Sequence, residues 1–123
     1  MIHNGEVLST KIFTKADQEL FAELSGDYNP IHIKEHEASK SPAGECIVHG
    51  INSFLWCLES FCKKKGFINS SFKINFNKPI LLNRQYRSVL EIEKSKIYVI
   101  DETENIHLSI SINSSRFSYI PVL

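Results

Sequence analysis

From residue 72 onward, apolar residues recur at every second position. Phe72, Ile74 and Phe76 alternate with Lys73, Asn75 and Asn77, and the alternation returns at Ile106, Leu108, Ile110 and Ile112. A strict period of two predicts strands with one face buried. Between these runs, Val89, Ile92 and the segment Ile97 to Ile100 read as two strands meeting near Glu93 to Lys96, and Phe117, Tyr119 and Pro121 predict a short last strand. The first half of the chain has another rhythm. Residues 5–13, GEVLSTKIF, read as an opening strand. Ala16, Leu20, Phe21 and Leu24 then fall on one helical face, opened by Thr14 and Asp17 as a capping pair and closed at Ser25-Gly26. Glu35 to Ala38 reads as a short helical turn, and Ser41 to Gly44 as a break. Next, Ile47, Val48, Ile51, Phe54, Leu55, Leu58, Phe61 and Cys62 recur at steps of three and four, with Trp56 and Cys57 widening the apolar surface. This predicts a helix buried on nearly every side, ended by Lys63-Lys64-Lys65-Gly66. A sheet curled around that helix would bury it. Short connections favour antiparallel pairing. The expected architecture is α+β: one curved antiparallel sheet around one long central helix, in a single domain spanning 1–123.

Composition narrows the picture. The 123 residues are 42% hydrophobic and 23% charged, with 14 basic and 14 acidic side chains. A balanced charge argues against a broad nucleic-acid footprint, which needs a basic excess. No stretch approaches the run of about 18 apolar residues that would suggest a membrane span, and the N-terminal residues do not read as a signal peptide. Three cysteines, Cys46, Cys57 and Cys62, have neither paired nor disulfide-like spacing. They read as reduced thiols, and Cys57 and Cys62 as small hydrophobes within the helix. The five histidines show no metal-ligand spacing, so no metal is expected. The expectation is a cytoplasmic protein.

Candidate chemistry gathers in residues 25–32, SGDYNPIH. Gly26 opens backbone angles closed to other residues, and Pro30 stiffens the corner and keeps Asn29 out of the helical region. Asp27 and His32 around such a corner could be held as an acid–base pair, which needs position first and pKa second. The alternative from the same residues is a helix cap followed by an Asx turn, with Asp27 and Asn29 satisfying loose backbone groups. A second stretch, Val48-His49-Gly50, stands where the long helix begins. Free N–H groups at a helix start suit a substrate carbonyl, and Gly50 would let one approach. His49 reads either as a proton-transfer group or as a buried histidine that orients the loop. Ser53, one turn on, either serves the site or bonds back within its helix.

The segments Phe21-Ala22-x-Leu24-Ser25-Gly26-Asp27-x-Asn29-Pro30-x-His32 and Ile47-Val48-His49-Gly50, with Phe76-x-Lys78-Pro79-Ile80 later, resemble the MaoC-like dehydratase family, which includes the (R)-specific enoyl-CoA hydratases. The resemblance spans residues 13 to 82; beyond that only the strand pattern is similar. It implies a hot dog fold, a homodimer with sites near the subunit interface, and thioester substrates on coenzyme A or acyl carrier protein without a further cofactor. By position it implies Asp27 and His32 as the catalytic pair and Gly50 as backbone donor to the thioester carbonyl. Asn29, His49 and Ser53 stand beside them as candidate substrate-binding residues. The implied reaction is hydration of a trans-2-enoyl thioester to the (R)-3-hydroxyacyl form, or its reverse. A hot dog thioesterase and a non-catalytic thioester-binding subunit of a larger complex are the alternatives. Lys63, Lys64, Lys65, Lys78 and Arg84 are candidates for carrier phosphates. Cys46 stands where such proteins often carry Pro. Phe54, Trp56 and Phe61 are bulky, so any of them facing the acyl tunnel would shorten it.

Overall fold

Alternating apolar positions become five antiparallel strands in the computed structural model, which describes residues 5–68, 71–113 and 119–120. Strand β1 (Glu6–Ile12) is followed by helices α1 (Lys15–Ser25), α2 (Pro30–Ile33), α3 (Glu35–Ser39) and α4 (Gly50–Lys65). Strands β2 (Phe67–Ile68), β3 (Phe72–Phe76), β4 (Gln85–Glu91), β5 (Lys96–Ile100), β6 (Ile106–Ile112) and β7 (Tyr119–Ile120) complete the described chain. The main sheet runs β1-β4-β5-β6-β3, so β1 and β3 are its edges. A register shift between Val7 and Ser9 bends β1 against β4, and another between Val99 and Ile100 bends β5 against β6. The expected last strand survives as β7, which pairs with β2; Phe117 and Pro121 lie outside the described residues.

Helix α4 packs on the sheet through Cys57 and Phe61, which meet Leu8, Tyr86, Leu90, Ile97, Val99, Leu108, Ile110 and Ile112 in one cluster. This is the hot dog arrangement of a sheet around a long helix. The helix is not buried on every side, however. Its buried residues are Ser53, Cys57, Ser60 and Phe61, whereas Ile51 and Leu55 are about half exposed. Hydroxyls can take the inner face because their hydrogen bonds are met. Ser60 donates to the Trp56 carbonyl (2.8 Å) and joins Ser9, which in turn reaches Ser88 (3.1 Å). Burial pushes the Cys57 thiol up to about 12, so it packs as an inert small hydrophobe.

Helix α1 starts with the expected capping box. Asp17 N–H donates to Thr14 Oγ1 and Thr14 N–H to Asp17 Oδ2. It ends at Gly26, whose φ of 78° is left-handed and whose N–H closes on Ala22. The inward face differs from the expected one. Gln18 and Ala22 are buried, while Leu20 and Leu24 are exposed. The reason lies in the amide of Gln18, described below.

Candidate active site

The SGDYNPIH loop is a chain of nested turns. Asp27 N–H donates to Ser25 Oγ (3.1 Å), Asn29 N–H to Asp27 Oδ1 (3.1 Å), and Ile31 N–H to Asn29 Oδ1 (3.2 Å). Asn29 thereby caps α2, with Pro30 at its first position. The turn reading of Asp27 and the pair reading hold together, because its two oxygens divide the tasks. Oδ1 shapes the turn, and Oδ2 stands 3.8 Å from His32 Nε2. Half of the Asp27 side chain is in solvent, whereas His32 is buried.

A main-chain oxygen sets the tautomer of His32. Its Nδ1 lies 2.8 Å from the Ile47 carbonyl, which can only accept, so Nδ1 carries the proton and the neutral ring presents a bare Nε2 toward Asp27. The gap of 3.8 Å exceeds a direct hydrogen bond. A water at about 2.8 Å from both atoms could donate one proton to each.

Gln18 braces this arrangement. Its Nε2 donates to the His32 carbonyl and to the Ile47 carbonyl, both at 2.8 Å. The Ile47 oxygen therefore accepts from the amide and the imidazole together. The residue is fully buried, and its Oε1 has no partner among protein atoms. Sequence reasoning missed it. The available signal was a polar residue four positions before Ala22, on the inward face of α1.

His49 is the N-cap of α4 and is buried. Its Nε2 donates to the Asp27 carbonyl (3.0 Å), and its ring stacks on His32 with centroids 4.0 Å apart and planes at 25°. This is the loop-orienting geometry. Asp27, His32 and His49 bring possible ligand atoms within 4.8 Å of one another. The two rings are stacked, so their in-plane lone pairs lie in separate, near-parallel planes. His49 Nε2 donates to the Asp27 carbonyl and His32 Nδ1 to that of Ile47, so backbone oxygens hold both rings in this constellation.

A cleft of about 320 Å³ opens beside His32. It is lined by Ile47, Val48, Gly50 and Ser53 from one stretch of the chain and by a second stretch, Phe76 to Ile80, that forms the wall beyond them. Asp27 is not part of this lining; it meets the site through the Nε2 of His32. Val48 N–H donates to the Ile80 carbonyl (2.7 Å) and Ile47 N–H to the Ile31 carbonyl (3.0 Å), which stitches the segment to both sides. Gly50 occupies the first helical position of α4, where N–H groups have no partner within the helix. A Cβ built on Gly50 would meet the Phe76 ring at 2.8 Å, so this position admits only glycine unless the ring moves. Ser53 lines the cleft but bonds back to the Gly50 carbonyl (2.6 Å).

Phe54, Trp56 and Phe61 are not in the cleft. Phe61 is core, Phe54 packs on Phe72, and Trp56 packs edge-on to Phe13. The bulky group in the cleft is Phe76. Of the five basic candidates, four are engaged elsewhere: Lys63 with Glu59, Lys64 with the Val7 carbonyl, Lys65 with Glu6, and Arg84 with both oxygens of Glu45. Lys78 lines the cleft.

Known proteins resemble this chain over most of its length. Residues 5–111 match the model of the MaoC like domain. A 3-hydroxybutyryl-CoA dehydratase of Methylorubrum extorquens is 29% identical over 107 residues, covering 85% of this chain and 65% of the relative, so the chain spans just under two-thirds of that protein's length. An unliganded R-hydratase from Pseudomonas aeruginosa superposes with a TM-score of 0.75 at 21% identity, covering 91% of this chain and 79% of that one. An (R)-hydratase from A. caviae gives 0.67 at 19% identity, over 92% and 97%. On its fold, its matched residues and the order of its motifs, the chain belongs to the MaoC-like dehydratase family.

Proposed function

We propose that the protein is a lyase that hydrates trans-2-enoyl thioesters to (R)-3-hydroxyacyl thioesters and catalyses the reverse dehydration. The reading is carried by the His32 tautomer, because a bare Nε2 facing a carboxylate makes two acceptors for one water. Such a water donates both protons and turns an oxygen lone pair outward. As it attacks the β-carbon, one O–H bond breaks toward the Asp27–His32 pair. The π electrons move toward the α-carbon and the thioester oxygen, and the α-carbon recovers the proton held by the pair. Closely coupled acids share that proton as a unit. Negative charge on the thioester oxygen falls to the Gly50 N–H and the positive end of α4.

A short acyl chain on coenzyme A or acyl carrier protein is the proposed substrate. Phe76 closes part of the cleft, and the Methylorubrum relative bears the name of a short-chain dehydratase. Lys78 would meet the carrier's phosphates; no further cofactor enters. A homodimer is proposed because β3 is an edge strand, Phe76 is 56% exposed, and Ile51 and Leu55 leave apolar surface on α4. No helix among the described residues is long and apolar enough to cross a membrane, and we place the reaction in the cytoplasm.

The test is hydration of crotonyl-CoA, followed by loss of the conjugated enoyl absorbance, alongside release of free thiol. Wild type should hydrate without releasing thiol, and Asp27→Asn and His32→Ala should lose the activity. If both variants stay within about threefold of wild type, the pair is not the acid–base machinery. Thiol release without hydration would make the protein a thioesterase.

A further inference from the structure

Behind the second wall of the cleft lies another imidazole–carboxylate pair, outside every motif. His107 sits on β6 and is buried. Its backbone carbonyl accepts from Asn77 N–H (2.9 Å) and Lys78 N–H (3.1 Å), while its Nδ1 lies 2.8 Å from the Pro79 carbonyl. Three consecutive residues of the wall are thus tied to one histidine. Its Nε2 lies 2.9 Å from Asp101 Oδ2. Other facing groups are the Tyr86 ring on β4, edge-on at 5.1 Å with its hydroxyl accepting from Leu81 N–H, and the Lys78 backbone of the wall itself. Neither the Pro79 carbonyl nor an ionised Asp101 can donate. Both bonds therefore exist together only when both ring nitrogens carry protons.

We propose that His107, held as a double donor by Asp101, is the positioning residue of the cleft wall from Asn77 to Pro79, and thereby sets where Phe76 and Lys78 stand relative to Gly50. Asp101 is itself fastened by donors from the following turn: Thr103 N–H (2.9 Å), Thr103 Oγ1 (2.8 Å) and Asn105 N–H (3.0 Å) meet its Oδ1. Burial by itself would push its carboxyl up; the bonds from His107, Asn105 and Thr103 override that and hold it well below the usual range. The clamp touches no reacting atom and acts through the wall. Its functional relevance rests on the hydratase reading, but its existence does not.

The experiment reads the clamp directly. Nitrogen–proton correlation on the intact protein should show protons on both His107 ring nitrogens, donated to the Pro79 carbonyl and to Asp101. In His107→Phe, exchange of the Asn77 and Lys78 amides should speed up about tenfold or more, with Val99 and Leu90 unchanged. His107→Asn places an amide donor near the Nδ1 position and should restore part of that protection. If His107→Phe does not fold, Asp101→Asn leaves the ring in place and should loosen the same two amides. For crotonyl-CoA, His107→Asn should raise KM about fivefold with kcat within about twofold. A ring carrying a single proton, unaltered wall amides, or loosening spread over the whole sheet would overturn the proposal. So would a loss in kcat at constant KM. A tight wall in a chain without hydratase activity would keep the clamp and remove only the proposed reaction.

Discussion

Two histidine–aspartate pairs stand beside one cleft, one reaching it through His32 and one behind the stretch from Asn77 to Pro79, and they are built to opposite ends. Asp27 and His32 stand 3.8 Å apart, with the carboxylate half in solvent. Asp101 and His107 stand 2.9 Å apart, with both imidazole nitrogens committed to fixed oxygens. The same two residue types therefore give an open pair with a vacant acceptor on the ring and a closed pair with none. The second ring contact makes the difference. Each Nδ1 faces a backbone carbonyl, but only the closed pair brings its carboxylate within bonding distance of Nε2. Proximity of histidine to aspartate thus leaves open whether the ring keeps a vacant acceptor, and the residual gap decides it.

The comparison breaks most readily at the open pair. Asp27→Asn or His32→Ala should lower kcat for crotonyl-CoA by about 10²–10⁴ with the fold retained by circular dichroism, whereas Asp101→Asn should leave kcat nearly intact. A smaller effect is expected where the open pair is braced. Gln18→Ala removes two buried hydrogen bonds, and should cost about 2 kcal/mol of stability by urea unfolding and reduce kcat as His32 loses its frame. The closed pair should show itself in acid. The folded carboxyl of Asp101 lies below its unfolded value of about 3.9, so its contribution is present above about pH 4 and fades as pH falls toward the folded value. The gap in urea midpoint between wild type and Asp101→Asn should therefore narrow as pH falls below about 4. The smallest expected effect is at the shared cleft. Gly50→Ala should raise KM about threefold by displacing the Phe76 ring, and Phe76→Ala in the same chain should relieve it.

Much of the frame was legible from periodicity and caps. Thr14 and Asp17 announced α1, Gly26 closed it, and the alternation of Ile106, Leu108 and Ile110 placed β6. The open pair was visible because its stiff loop is written in consecutive residues. What stayed hidden were contacts between residues that are distant in sequence. Nothing local marks Gln18 as buried, since its reason to be inside is two carbonyls supplied by positions 32 and 47. The inner face of α4 was misjudged for a similar reason. Ser53 and Ser60 look like surface residues until the partners of their hydroxyls are known, while Ile51 and Leu55 look like core. His107 sits in a strand whose apolar alternation draws the eye to its neighbours, and its two ring contacts come from Pro79, in the connection after β3, and Asp101, just past β5.

The acceptor that fixes the His32 tautomer is a peptide oxygen at residue 47, not a side chain. A library of point variants at that position would change the isoleucine and its share of the cleft lining but leave the oxygen in place. Replacing the 47–48 amide linkage by an ester would weaken that acceptor and also remove the Val48 N–H bond to Ile80, so the dependence is the loss beyond that of an ester whose only effect is a missing N–H. In this fold a determinant of proton placement is written into the backbone, where codon changes do not reach it.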